Sequence, residues 1–311
     1  MAPTRAVCVT SSVALRRTLR RAFHATGTQV EFADAVGGAD PADAVVVIDQ
    51  PTYAGLADAD RATLERGRAL IVMGASLEDE AVLDAMRRER WNHVIREAED
   101  PDDDELVVTS VKLSSGDIFG LEKYLAWGVK VNEATIDTYE AKREALLAVT
   151  ASARDGGARR PTIARIESVV DELLMNAMYD APAVATGKAV PTPRRITDPV
   201  GDAEARLRWA ADGRYFAVSV EDRYGALAKD VILDHLLRAR QERGRPRAPD
   251  APGASGGAGL GLYFILSSVT RFIANLDPGV RTEVICLFDL KQGGRDADAC
   301  ARSLHVFGPR A

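Results

Sequence analysis

The chain reads as an α/β protein in two parts, a doubly wound parallel sheet followed by a region of longer helices and a hairpin. Three observations carry this. Short, continuously apolar runs alternate with helical stretches over residues 1–104, and strands that are apolar throughout belong to parallel sheets covered on both faces. A proline-containing acidic run at 100–105 then breaks the alternation. Beyond it come a long stretch of helical period, an Asp-Gly hairpin dipeptide and a glycine-rich loop. A length of 311 residues suits two domains, each with its own core.

In the first part, Ala6 to Val9 is a short apolar strand, Val13 to Ala25 a basic helix and Gln29 to Ala33 a second short strand. Ala44 to Ile48 follows as a strand that ends at Asp49, then a helix from Asp58 to Arg66 and a strand from Ala69 to Met73. A helix from Glu78 to Arg90 and a strand from His93 to Ile95 complete the pattern. Ligands of such sheets collect at the carboxyl ends of the strands, where Asp49 lies.

This order and size resemble the receiver domain of response regulators, whose phosphoacceptor aspartate ends the third strand, the place of Asp49. The acidic pair that holds magnesium in that family falls near Thr10 and Ser11, which carry no charge, and a hard octahedral cation lacks ligands there. The switch hydroxyl falls at Gly74, and the family's lysine at Arg96, followed by Glu97 in place of proline. The resemblance therefore implies a degenerate receiver-like interaction domain in which Asp49 is structural.

Residues 105–128 read as a connector, with a helix from Ser115 to Trp127 exposing Ile118, Phe119, Leu121, Leu125 and Trp127 as apolar surface. Such a helix connects the two halves or carries a homodimer contact; closing a core at the junction is the commoner role. An alternating segment (Val129 to Tyr139) and a helix (Ala141 to Arg154) stopped by Asp155-Gly156-Gly157 follow.

Thr162 to Tyr179 places Ile163, Ile166, Val169, Val170, Leu173, Leu174 and Ala177 on one helical face, between Pro161 and Pro182. Glu172 and Asn176 share one stripe of that helix, with Asp180 a turn further on. An i, i+4 Glu/Asn pair is usually solvated surface. An Asn carbonyl is also a good magnesium ligand, and a carboxylate one turn away can activate a nucleophile. Glu204 to Ala210 and Tyr215 to Val220 alternate around Asp212-Gly213 as a hairpin, whose second strand delivers Asp222. A helix (Val231 to Arg240) leads to Arg243, Arg245 and Arg247, suited to phosphates or simply to solubility. Gly257, Gly259 and Gly261 then alternate at the start of an apolar helix, exposing backbone N–H groups to an anion or merely capping that helix. Val284 to Leu290 is a last strand, and the tail 291–311 is polar and without pattern.

The string Glu172-Leu173-Leu174-Met175-Asn176-Ala177, with Asp222 about 46 residues on and the glycine loop about 35 beyond that, resembles the histidine kinase-like (GHKL) ATPases. Within that superfamily the layout of residues 129–290 is most similar to the anti-sigma-factor serine kinases. The resemblance implies the Bergerat fold, an α+β two-layer sandwich, with ATP and magnesium as cofactors. It gives Asn176 the metal, Glu172 the acceptor side of catalysis and Asp222 with Gly225 the adenine loop. Gly257, Gly259, Leu260 and Gly261 become the floor of an ATP lid, and Thr282 lies near the nucleotide. Asp180 stands where kinase members often carry a basic phosphate contact, and Asp222-Arg223-Tyr224-Gly225 departs from the family's D-x-G-x-G.

A net charge of -6 with no basic block excludes an obvious nucleic-acid partner. No apolar run approaches the roughly 18 residues of a membrane span. Arg5 and Arg16-Arg17 interrupt any leader, and Cys8, Cys286 and Cys300 are odd in number and far apart, which points to the cytoplasm. The histidines, His24, His93, His235 and His305, all lie outside residues 115–154, so autophosphorylation on histidine is not expected. The expected function is an ATP-binding signalling protein that phosphorylates a protein partner on Ser or Thr. The alternative is a non-catalytic, ATP-sensing adaptor.

Overall fold

The computed structural model describes residues 5–38, 40–89, 91–96, 103–187, 203–243, 260–291 and 301–308. They form two compact units, Met1–Ile118 with Arg302–Ala311, and Phe119–Ala301.

The first unit begins with β1 (Arg5–Val9), α1 (Val13–Ala25), β2 (Gln29–Ala33) and β3 (Val45–Asp49). It continues with α2 (Gln50–Ala54), α3 (Asp58–Leu64), β4 (Ala69–Met73), α4 (Glu80–Arg88), β5 (Trp91–Ile95) and α5 (Asp103–Ser115). The five strands are parallel in the order β2-β1-β3-β4-β5, and the reversal beside β1 makes this a doubly wound order. The apolar periodicity explains the core: Leu15, Leu19, Ala22 and Phe23 of α1 bury their shared face against Cys8, Val45, Val47 and Ile71 of the sheet. Burial pushes the Cys8 thiol up to about 12, so it behaves as a small apolar group.

Asp49 ends β3 and caps α2, its Oδ1 accepting the Thr52 N–H at 2.8 Å. Thr10 is fully buried and its hydroxyl accepts the Ser12 N–H at 3.1 Å. Both side chains therefore close the ends of helices and loops at this edge of the sheet.

The stretch between residues 103 and 127 differs from the sequence expectation. Residues 103–105, read as the end of a solvated run, open α5. Leu106 enters the core beside α1, and Gly116, at φ 75°, ends the helix. The expected helix over 115–127 is therefore absent, reduced to one turn at Leu121–Tyr124, and Trp127 is fully exposed.

The second unit contains β6 (Asn132–Ile136), α6 (Tyr139–Asp155), α7 (Arg160–Met175), α8 (Ala181–Ala185), β7 (Ala205–Ala211) and β8 (Tyr215–Asp222). α9 (Lys229–Arg243), α10 (Leu260–Ser268), β9 (Arg271–Asp277) and β10 (Arg281–Asp289) follow. Its strands are antiparallel in the order β9-β10-β8-β7-β6. α7 packs on β8 and β10, α6 and α10 pack on α7, and α9 lies against α10. The β7–β8 turn is the expected hairpin: Gly213 sits at φ 88°, and Asp212 Oδ1 accepts from Tyr215 N at 2.7 Å. Pro182 does not end the helical stretch. It sits in the first turn of α8, where its missing N–H costs nothing.

The tail read as patternless supplies the last strand, β11 (Ser303–Phe307), antiparallel to β5 in the first unit. Its apolar residues alternate with His305, whose burial needs partners distant in sequence. His305 Nε2 lies 2.9 Å from Glu105 Oε1 of α5, and its Nδ1 lies 3.3 Å from His93 Nδ1. Among the described residues, no helix is long and apolar enough to cross a membrane.

Candidate functional site

α7 buries Ile166, Val169, Val170, Leu173 and Leu174, which leaves Glu172 and Asn176 on another side of the same helix. At Asn176 the helix widens into a single π turn through Asp180, with the Ala181 N–H reaching back to Asn176 O. Isolated π turns are uncommon and often mark functional positions. Here the extra residue changes the facing of everything that follows, and both Asn176 and Asp180 come to line one cavity.

That cavity, about 220 Å³, lies within the second unit. Its polar side chains are Asn176, Asp180, Asp222, His235 and Thr282. Leu173, Val220, Val231, Leu262 and Val284 supply much of the apolar wall. An apolar pocket with a few convergent polar groups is the usual form of a small-molecule site.

Asp222 and Thr282 face each other across the β8–β10 pair. Asp222 is buried, and its Oδ1 accepts the N–H groups of Tyr224 at 2.8 Å and Gly225 at 3.2 Å. Burial pushes its carboxyl up to about 6, although the two N–H bonds favour the charged form. The Thr282 hydroxyl is buried without a hydrogen-bond partner of ordinary geometry. Thr282 also interacts with the Asp222 carboxyl and favours its charged form, so the two side chains make one polar spot in a largely apolar wall.

Gly225 is not part of the cavity wall. It sits at φ 57°, and a Cβ there would collide with Asp277 O and lie 2.6 Å from the backbone nitrogens of Gly279 and Val280. Its lack of a side chain lets the loop after β8 lie on the β9–β10 turn, which presents the neighbouring Ala226 and Leu227 to the cavity.

Glu172 meets the start of α10. A Cβ at Gly261 would overlap Glu172 Oε1 and lie 2.5 Å from its Cδ. Glycine at 261 is thus what lets the carboxylate approach that helix. Gly257 and Gly259, with Arg245 and Arg247, lie outside the described residues, as does the side chain of Leu260.

The sequence reading did not assign His235 to the site. It lies on α9 one turn from Val231, and nothing in the local sequence distinguishes it from a surface histidine. Only the packing of α9 brings it to the cavity.

Fold and site together define a two-unit mixed α/β protein with a largely apolar cavity bounded by helices and the strands of an antiparallel sheet. The chain matches no protein-family model and no curated protein. Among solved structures it is similar to a chain from the crystal structure of the SiaB-SiaC complex from Pseudomonas aeruginosa, at 16% identity and a TM-score of 0.33, over 60% of this chain and 100% of that one. Likeness of that order carries no functional argument, which rests instead on the chain's own residues.

Proposed function

We propose that the second unit is a histidine kinase-like ATP-binding domain of a signalling protein, which transfers phosphate to a Ser or Thr of a protein partner. The observation that carries this is the convergence of Asn176, Asp222 and Thr282, widely separated in sequence, on one cavity. The buried Asp222 carboxylate, with one oxygen held by two backbone N–H groups, suits the amino group of adenine. The apolar walls suit the ring faces.

Magnesium fits the oxygen donor of Asn176 in kind. Among the described residues no cluster of three His, Cys, Asp or Glu can hold a metal ion alone, so the ion would share its ligands with the nucleotide phosphates. Its chemistry there would be to offset phosphate charge. Glu172 would orient and accept the proton of the attacking hydroxyl, and catalysis would rest mainly on positioning. The first unit, with Asp49 committed to capping α2, is read as a receiver-like interaction unit that is not phosphorylated.

A second reading, nucleotide sensing without transfer, draws on the absence of Lys and Arg from the described cavity wall. Incubation with γ-labelled ATP, magnesium and cell extract decides between them. Label on a partner protein, lost in Glu172→Ala while nucleotide binding persists, is expected. Binding without transfer selects the adaptor, and failure to bind ATP analogues at millimolar concentration removes both.

A further inference from the structure

The helical wall of the cavity has a polarity that suits a sugar better than a phosphate. Asp180 comes from the π turn after α7 and His235 from α9. The described wall holds two carboxyl groups and no Lys or Arg. A phosphate chain beside Asp180 would meet like charge, so that side chain calls for a neutral group rich in O–H donors.

His235 completes the pattern. Its Nδ1 is buried and has no hydrogen-bond partner, while the ring remains partly exposed at the cavity. Burial, then Arg238, lower its pKa from the ordinary histidine range, against the opposing pull of Asp234 and Asp180. α10, packed on α9, has no residue other than Tyr263 that ionises. The ring is therefore neutral at pH 7 and offers one N–H and one lone pair. An acceptor-only carboxylate beside a neutral donor complements a pair of vicinal hydroxyls, each of which both gives and takes a hydrogen bond.

We propose that Asp180 and His235 read the ribose hydroxyls of the bound nucleotide, Asp180 accepting from one hydroxyl and His235 donating to its neighbour. This rests on the nucleotide reading above and adds selection of ribonucleotides over deoxyribonucleotides.

The test is calorimetric titration of the intact chain with ADP and with 2′-deoxy-ADP. ADP should bind about tenfold more tightly, the worth of one hydrogen bond to a charged group. Of Asp180→Ala and His235→Ala, the one that removes the partner of the 2′ hydroxyl should bring the two affinities to within about twofold by weakening ADP alone, and the other, at the 3′ hydroxyl common to both ligands, should weaken both. Asp180→Asn, which keeps an acceptor and the side-chain volume, should weaken ADP binding less than Asp180→Ala does. Equal affinity of the wild-type chain for both ligands would overturn this inference and leave the nucleotide reading standing. So would a result in which neither variant removes the preference for ADP. Failure of the wild-type chain to bind either ligand would overturn both.

Discussion

Replacing Gly261 with alanine puts a methyl group where Glu172 now approaches α10. The new Cβ would lie 2.5 Å from Glu172 Cδ and 3.0 Å from its Cγ. Carbon atoms pack at about 3.5–4.0 Å, so the carboxylate must retreat by about 1 Å. Because the colliding atoms are the far end of a flexible side chain, that retreat costs little stability. Alanine also recovers up to about 1 kcal/mol of helix propensity at this position. Thermal or urea unfolding should therefore show a change within about 1 kcal/mol. Phosphate transfer should respond differently. If Glu172 orients the acceptor hydroxyl, a misplacement of about 1 Å costs about 100-fold in rate, while nucleotide affinity, which depends on Asp222 and Asn176, should move much less. A transfer assay beside a nucleotide titration separates the two quantities. Transfer by Gly261→Ala at the wild-type rate would refute the role of Glu172. A loss of stability well beyond 1 kcal/mol would refute the view of the contact as yielding.

Asp222 should make stability and binding depend on pH in opposite senses. Its carboxyl holds a proton more tightly in the folded chain, at about 6, than at its ordinary 3.8. Its contribution to stability is thus greatest below pH 4, is lost as pH rises through about 6, and differs by about 3 kcal/mol between the limits. Nucleotide affinity should instead rise through that window, because only the ionised group accepts freely from an amino donor; Asp222→Asn should flatten both profiles in denaturant and binding titrations. Gly225→Ala forces a side chain into a left-handed backbone and against the β9–β10 turn, so urea unfolding should show a loss of about 2–4 kcal/mol, and a loss under 1 kcal/mol would contradict the close approach. Asp49→Ala should cost about 1 kcal/mol and Asp49→Asn only a few tenths, as for any helix cap. Acetyl phosphate should leave Asp49 unlabelled, and stable label there would overturn its structural role.

Local chemistry made much of the fold legible. α1, β2 and β4 appear where apolar period and run length place them, because each is decided by neighbours a few residues away. Asp212-Gly213 announces its hairpin for the same reason. Elements stabilised by distant partners were harder to read. α5 begins in an acidic run that looks solvated until Leu106 meets α1, and β11 contains a histidine that is tolerable inside only because Glu105 and His93 receive it. β9 was missed although its Phe272, Ile273 and Ala274 are buried and Gly279 marks the turn after it, because charged Arg271 and polar Asn275 blur the apolar run.

The sequence by itself determined the spacing of Glu172 and Asn176 along one helical stretch and the placing of Asp222 at a strand end, both properties of short stretches. Tertiary structure alone decided that Asn176, Asp222 and Thr282 meet at one cavity, that Gly261 admits the Glu172 carboxylate and that His235 joins them. It also decided that Gly225 serves a close backbone approach. The physical reason is range: helical and strand periodicity is set by nearest neighbours, whereas burial, a shifted carboxyl and a shared cavity depend on segments that meet only when the chain packs.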